Sequence, residues 1–266
     1  VVFAAAMHPK VKGRVLWLCL AGFGGGGLCV LLSVSRAALA AYAVGAALVL
    51  LMAWVRSPGP RTMLVTLVGV LGAVLVMAFA MDSIHSRLQE VQAGKENSAE
   101  DLRDILNLQS KAMLAEHPLL GVGWNNFGIA NSRPYGAKYS EVLEEWDRGR
   151  GFTIIDENYW ANPLTESLYW LVLAENGWIG WSCFILFLAS TLWLGLKAVR
   201  HGGRSLTGYV AFGVLVALLI CYPHGLVERI LTQTKNLSHW LMLVGMLSGM
   251  EMNRRAESRL ARSAQG

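Results

Sequence analysis

Residues 98–127 read SAEDLRDILNLQSKAMLAEHPLLGVGWNNF, and residues 156–181 read DENYWANPLTESLYWLVLAENGWIGW. The first stretch predicts a helix that must end before Pro118, because proline cannot continue a helix. The second stretch leads from a polar, carboxylate-bearing strip into an apolar run. The two stretches are the ends of a long polar loop, 82–163, in a chain that is otherwise mostly apolar. This loop therefore decides how the rest of the chain is organised.

The composition is that of an integral membrane protein. Of the 266 residues, 54% are hydrophobic and 15% are charged, and the mean hydropathy is +0.42. Soluble domains carry ~25% charged residues. The net charge of +5 comes from lysines and arginines that stand in short runs between apolar segments. This pattern indicates membrane topology and argues against nucleic acid as a partner.

The apolar runs predict an all-α, polytopic transmembrane protein with about six spans and one large, partly helical external loop. The expected spans cover residues 15–34, 38–55, 62–81, 164–197, 205–222 and 238–252, the fifth being ended by Pro223. The fourth run is too long for one span, so a short helix, 164–176, is expected to bend at Asn176-Gly177 into the span proper. The opening run VVFAAAM is shorter than the ~20 residues of a span. We interpret it as the tail of an earlier helix in a longer protein.

Lysines and arginines predict the orientation. If the spans alternate, four clusters fall on one side: Lys10, Lys12 and Arg14; Arg56 and Arg61; Lys197, Arg200 and Arg204; and Arg254, Arg255, Arg259 and Arg262. The positive-inside rule places this side in the cytoplasm, so the loop 82–163 should face outward. The chain is then divided into spans in 1–81, a large external loop in 82–163, a returning helix and spans in 164–252, and a cytoplasmic basic tail in 253–266.

Three charged residues are candidates for chemistry at the membrane surface. Arg36 opens a span, where a buried guanidinium is costly and usually functional, although its side chain could also snorkel to the interface. Arg103 shares one face of the loop helix with Asn107 and Lys111, where a simply solvated arginine is the alternative. Glu166 stands just before an apolar segment, where it can act as a base or cap the following helix.

Two arginines beside a carboxylate suit one reaction. The arginines bind and neutralise a diphosphate leaving group, and the carboxylate deprotonates an incoming hydroxyl. The four cysteines, Cys19, Cys29, Cys183 and Cys221, lie in apolar segments without metal-ligand spacing. We therefore predict no metal site and no cofactor, and expect metal-independent transfer from a lipid diphosphate.

The same residues carry a family resemblance. HPLLGVGWNNF, with Arg103 fifteen residues before Pro118, resembles the "Arg … hPl.GvG..nF" loop of the O-antigen ligase and polymerase family. Ser35-Arg36-Ala37 resembles that family's Ser-Arg-Gly at the start of a span. Ser167, followed after nine residues by Gly177-Trp-Ile-Gly180, resembles the second half of its His-[Asn/Ser/Gln]-x9-Gly-x-x-Gly motif. The resemblance covers about residues 30–190.

The resemblance implies a bacterial inner-membrane enzyme that transfers a glycan from undecaprenyl diphosphate to an acceptor hydroxyl in the periplasm. The external loop 82–163 would then be a periplasmic catalytic loop. The partners that it implies are a lipid-linked oligosaccharide donor, a glycan or lipid A-core acceptor, and membrane lipids. Arg36 and Arg103 match the arginines implicated in diphosphate binding. Glu166 stands where the family has histidine, so it would replace that base, serve a different acceptor, or mark lost activity.

Residues 119–160 are expected to shape the sugar site. The substrate-binding candidates besides the two arginines are Trp124, Asn125, Asp156, Glu157 and Tyr159. The aromatic side chains of this region, which also include Tyr135, Trp146 and Trp160, could equally form an interfacial belt.

Three other functions stay open from the sequence. A polysaccharide repeat-unit polymerase of the same family would differ only in its acceptor. A transporter of lipid-linked glycans would be built from repeated halves with broken helices, and no internal repeat is visible. A non-catalytic membrane scaffold would be consistent with the glutamate at the position of the family histidine.

Overall fold

The computed structural model describes residues 1–32, 35–70, 98–131 and 164–264, and every regular element in these ranges is a helix. In chain order the helices are α1 (Val2–Ala6), α2 (Gly13–Leu32), α3 (Arg36–Arg56), α4 (Pro60–Val70), α5 (Ser98–Glu116), α6 (Phe127–Asn131), α7 (Leu168–Gly202), α8 (Leu206–His224), a 3-10 turn at Ile230–Thr232, and α9 (Thr234–Ser263). The all-α class predicted from the sequence is confirmed.

Four of the described helices are long and apolar enough to cross a membrane. They are Gly13–Leu32, Ala37–Arg56, Leu168–Gly202 and Leu206–His224. The third expected span, 62–81, lies partly in α4, and its residues 71–81 are outside the described part of the chain. The sixth expected span lies within α9, which is less apolar than these four. The prediction of a polytopic membrane protein is consistent with this set.

Three expected boundaries differ from the structure. Pro223 was expected to end the fifth span, but it lies within the last turn of α8. Proline lacks the backbone N–H, and the loss of one hydrogen bond in the last turn costs the helix little. The returning helix begins at Leu168 rather than residue 164, and α9 continues through the expected tail to Ser263. In α9 the Glu251 carboxylate binds Arg254 and Arg255 at 2.8 Å each, and such pairs support continued helix.

The chain forms two compact units. The first unit comprises Val1–Ser83, Leu188–His224 and Thr234–Gly266, and the second comprises Ile84–Phe187 and Gly225–Gln233. In the first unit α1 packs against α2, α3 and α8. The buried side chains of this packing are Phe3, Ala4, Ala6, Met7, Val49, Met52, Ala53, Tyr209 and Val216.

The basic connections of the first unit come together at one end. The Arg56 guanidinium donates to the Gly203 carbonyl at 2.7 Å, and Arg61 donates to the His8 carbonyl at 2.9 Å. The His8 ring lies 3.2 Å from the carbonyl oxygen of Arg204. The C-terminal part of α9 lies beside the connection between α7 and α8. The residues that line a cavity between them include Ala198, His201, Ser205, Glu251, Arg254 and Glu257. Connections that the sequence placed on one side of the membrane therefore lie side by side.

Candidate functional site

Helix α5 of the second unit carries the candidate Arg103. It runs from Ser98 to Glu116 and stops before Pro118, as the sequence predicts. Two apolar residues of α5, Leu106 and Met113, are 3% and 0% exposed. The apolar face of α5 therefore packs inward, and the face with Asn107 and Lys111 is left for polar contacts.

That polar face contacts the segment that carries Glu166. The Thr165 hydroxyl donates to the side-chain oxygen of Asn107 at 3.0 Å. One turn further along α5, the Lys111 ammonium lies 5.4 Å from the centre of the Trp170 ring, within the range of a cation–π interaction. Thr165 and Trp170 stand on either side of Glu166 in the sequence. The residues before and after Glu166 thus contact Asn107 and Lys111 of α5. Arg103 stands four residues before Asn107 in the same helix.

Glu166 itself is half-buried between two buried neighbours. Thr165 and Ser167 are 0% and 2% exposed. Before the helix the Thr165 hydroxyl donates to Asn107, and the Leu168 N–H donates to the Gly225 carbonyl at 2.9 Å. These contacts explain why α7 begins at Leu168 and not at residue 164.

The remaining site predictions fall in different parts of the chain. Arg36 is the first residue of α3, after Ser35, whose hydroxyl caps the helix by accepting the Ala38 N–H at 3.3 Å. The side chains of Arg36 and Arg103 lie outside the described residues. Residues 132–163 lie outside the described part of the chain as well. They include three substrate-binding candidates, Asp156, Glu157 and Tyr159, and three further aromatic residues, Tyr135, Trp146 and Trp160.

The motif loop, residues 117–126, forms backbone hydrogen bonds with the kinked part of α7. Gly177 has φ 60° and ψ −168°, so α7 bends there as the sequence predicts. A kink leaves carbonyls before it and N–H groups after it without partners in the helix. The motif loop supplies these partners through four hydrogen bonds: Val122 N–H to Ala174 O at 2.9 Å, Gly123 N–H to Glu175 O at 2.8 Å, Trp178 N–H to Pro118 O at 2.9 Å and Ile179 N–H to Leu119 O at 3.3 Å.

This close approach requires two glycines. A Cβ atom on Gly121 would lie 2.4 Å from the carbonyl carbon of Glu175, and one on Gly177 would lie 2.3 Å from that of Leu119. Both residues also have positive φ, 66° and 60°, a conformation that favours glycine. One contact between backbones therefore explains a glycine in each motif, Gly121 in the first and Gly177 in the second.

Glu175 holds the far end of the motif loop, and the sequence gave no role to it. Its side chain is 6% exposed, and its carboxyl oxygen accepts the N–H of the fully buried Phe127 at 3.2 Å. The backbone of Asn125 interacts with the same carboxyl group. The available signal was a carboxylate in an apolar run, which is costly unless it has partners.

The two described substrate-binding candidates lie on the motif loop and are exposed. Trp124 is 73% exposed. Asn125 is also exposed and has φ 59°, a left-handed conformation that asparagine tolerates. Trp124 is thus available to stack on a sugar or to lie in the membrane interface.

Gln109 is a second buried polar residue that the sequence did not single out. It is 0% exposed, and neither atom of its amide has a hydrogen-bond partner within the described chain. It lies on α5 between Leu106 and Met113. We have no physical account of this amide.

The family comparison covers both the motif loop and the segment of Glu166. The family model for O-antigen ligase matches residues 20–185, more than half of the chain. The chain belongs to the O-antigen ligase family. Members of the O-antigen ligase family are glycosyl-transferring ligases or polymerases, and the apolar helices make this member a multi-pass membrane protein. A comparison with curated proteins gave no match.

Proposed function

We propose that this member of the O-antigen ligase family transfers a glycan from an undecaprenyl-diphosphate donor to an acceptor hydroxyl at the periplasmic membrane face. The observation that carries the proposal is the packing of the polar face of α5 against the Glu166 segment. The hydrogen bond between Thr165 and Asn107 fastens the two elements. A basic and an acidic candidate, Arg103 and Glu166, are thereby carried by two elements in direct contact.

In the proposed reaction Glu166 accepts the proton of the acceptor hydroxyl. The hydroxyl oxygen then forms a bond to the anomeric carbon of the donor sugar, and the bond from that carbon to the diphosphate oxygen breaks. The leaving undecaprenyl diphosphate gains negative charge as the bond breaks. Arg36 and Arg103 stabilise this charge, because guanidinium groups bind phosphate oxygens with paired, charge-assisted hydrogen bonds.

The position of Arg36 favours an anion for a second reason. The N–H groups in the first turn of a helix have no partners within the helix, and the helix dipole places positive charge there. Arg36 is the first residue of α3, directly after the cap Ser35. A diphosphate at this helix start would meet both the guanidinium and the dipole.

In this chain the proposed base is a glutamate, Glu166, at the position where the family has histidine. Glutamate is a weaker base than histidine, but both can accept a proton from a hydroxyl. Thr165 and Ser167 are buried on either side of Glu166, so the backbone that carries this carboxyl group is restrained. A restrained base loses less conformational entropy in the transition state.

The acceptor decides between the two activities of the family. A lipid A-core acceptor would make the protein a ligase, and a second lipid-linked glycan would make it a polymerase. The family match supports both. Offering each acceptor separately to the purified protein with the same lipid-linked donor distinguishes them.

The proposal is tested by removing the two arginines. Arg36→Ala and Arg103→Ala are each expected to abolish transfer, and Arg103→Lys should restore only part of it because lysine lacks the paired donors. Arg259→Ala is the matched control, since Arg259 is exposed in α9 among the basic residues of the first unit. Normal transfer by both alanine variants, in protein that is inserted and folded, would overturn the proposal.

A further inference from the structure

The second unit exposes large apolar side chains around the kink of α7. In the motif loop Leu119 and Leu120 are 63% and 72% exposed, and beside them Trp178 and Ile179 are 49% and 53% exposed. The two pairs are joined directly, because the Ile179 N–H donates to the Leu119 carbonyl. Together these four residues form what we call the kink patch. Exposed apolar patches on a folded protein mark contacts with other apolar matter.

The kink patch lies at the end of a membrane-length apolar segment. After the kink, α7 carries no charged residue from Trp178 until Lys197. At ~1.5 Å per helical residue, this segment approaches the ~30 Å thickness of the hydrocarbon core. The Trp178 and Trp181 rings pack edge to face with their centres 5.6 Å apart, and tryptophans concentrate where the hydrocarbon meets the headgroups.

The patch also continues a lipid-facing stripe. Cys183, Leu186 and Phe187, one and two turns beyond Ile179, are exposed apolar residues of the same helix. On a transmembrane helix an exposed apolar stripe is a surface suited to contact with acyl chains. The Trp178 and Ile179 N–H groups donate to the Pro118 and Leu119 carbonyls. These hydrogen bonds place Leu119 and Leu120 at the kink end of the stripe.

We propose that Leu119 and Leu120 insert into the bilayer at the Trp178 end of α7 and anchor the motif loop in the lipid interface. The occupant of the kink patch is the bilayer, whose acyl chains cover the two leucines. The motif loop is then a membrane-inserted turn and not a free part of the aqueous loop. This contact does not depend on the transfer reaction, and it is measured without donor or acceptor.

A fluorescent reporter at single cysteines tests the insertion. All four native cysteines are first replaced, and one cysteine is placed at Leu119, Leu120, Leu186 or Ala256 and labelled with an environment-sensitive dye. Leu186 is the lipid reference, being 70% exposed on α7, and Ala256, exposed beyond the expected sixth span, is the aqueous reference. Each protein is reconstituted in phosphatidylcholine vesicles with either aqueous iodide or lipids that carry a nitroxide near the headgroup.

Dyes at Leu119 and Leu120 should be quenched by the shallow nitroxide lipid and severalfold less by iodide than the dye at Ala256. Iodide quenching equal to that at Ala256 would show an aqueous loop and overturn the proposal. Protection from both quenchers would show that protein covers the patch and would overturn it as well. Because both leucines are exposed, labelling should leave the melting temperature unchanged, which is checked for each variant.

Discussion

The Thr165 hydroxyl donates a hydrogen bond to the Asn107 side chain at 3.0 Å, across 58 positions of the sequence. It joins the helix that bears Arg103 to the residue directly before Glu166. Two segments that carry separate parts of the family resemblance are thereby brought into contact. The proposed chemistry depends on this contact, and it can be weakened without changing Arg103 or Glu166.

Thr165→Val removes this hydrogen bond while keeping the shape of the side chain. We expect a loss of about 1 kcal/mol in the free energy of unfolding, and a severalfold fall in kcat because the Glu166 segment is released from α5. Thr191→Val is the control, since Thr191 is a buried threonine of the first unit that donates to Leu188 O at 2.7 Å and also pairs with the Tyr222 hydroxyl. It should cost at least as much stability as Thr165→Val and leave the kcat of folded protein unchanged. Equal kcat in the two variants would contradict the positioning role of Thr165.

Gly177→Ala and Gly121→Ala should break the junction between the motif loop and α7. The added Cβ atom would meet backbone at 2.3 and 2.4 Å respectively, and left-handed conformations cost non-glycine residues on the order of 1–3 kcal/mol. We expect lower melting temperatures and loss of transfer. Gly249→Ala is the control, because a Cβ atom there meets nothing within 4 Å in α9, and alanine favours a helix over glycine. An unchanged melting temperature of the Gly177 variant would show that the junction between the motif loop and α7 does not need this glycine.

Glu175→Leu should loosen the far end of the motif loop. It leaves the buried N–H of Phe127 without its acceptor, which costs about 1–3 kcal/mol. Glu175→Gln keeps an acceptor oxygen and should lose less stability. Thermal unfolding of both variants beside Glu257→Gln, an exposed glutamate of α9, measures the difference. Identical behaviour of the leucine and glutamine variants would show that the hydrogen bond does not hold the loop.

The predicted orientation is tested by sided labelling. A cysteine at Ser140, in the loop 82–163, should react with an impermeant reagent applied to intact cells after the outer membrane is made permeable. A cysteine at Ala256, beyond the expected sixth span in α9, should react only after lysis. The clustering of the basic connections at one end of the first unit motivates this experiment. Labelling at residue 256 in intact cells, with labelling at residue 140 only after lysis, would show that the predicted orientation is wrong.

Much of the fold could be predicted because it follows from local rules. Pro118 fixes the end of α5, and Gly177 within an apolar run fixes the kink of α7. The positions of lysine and arginine predicted which connections meet at one end. Pro223 misled the prediction because a proline in the last turn removes little from a helix that is already ending.

The junction between the motif loop and α7 could not be predicted, because the residues that form it are distant in the sequence. Glu175 and Phe127 are separated by 48 positions, and no periodicity relates them. Gly121 is required because the backbone of α7 passes within contact distance of it. Such long-range contacts depend on the tertiary fold, which local propensity does not encode.

The central claim is that Glu166 acts as the base of a glycan transfer. The most direct measurement compares the transfer activity of the wild type with that of Glu166→Gln and Glu166→His, each inserted in membranes and supplied with a lipid-linked donor. Glutamine has a similar shape but cannot accept the proton, so transfer should be lost, and histidine should restore it. A glutamine variant that transfers as fast as the wild type would contradict the account.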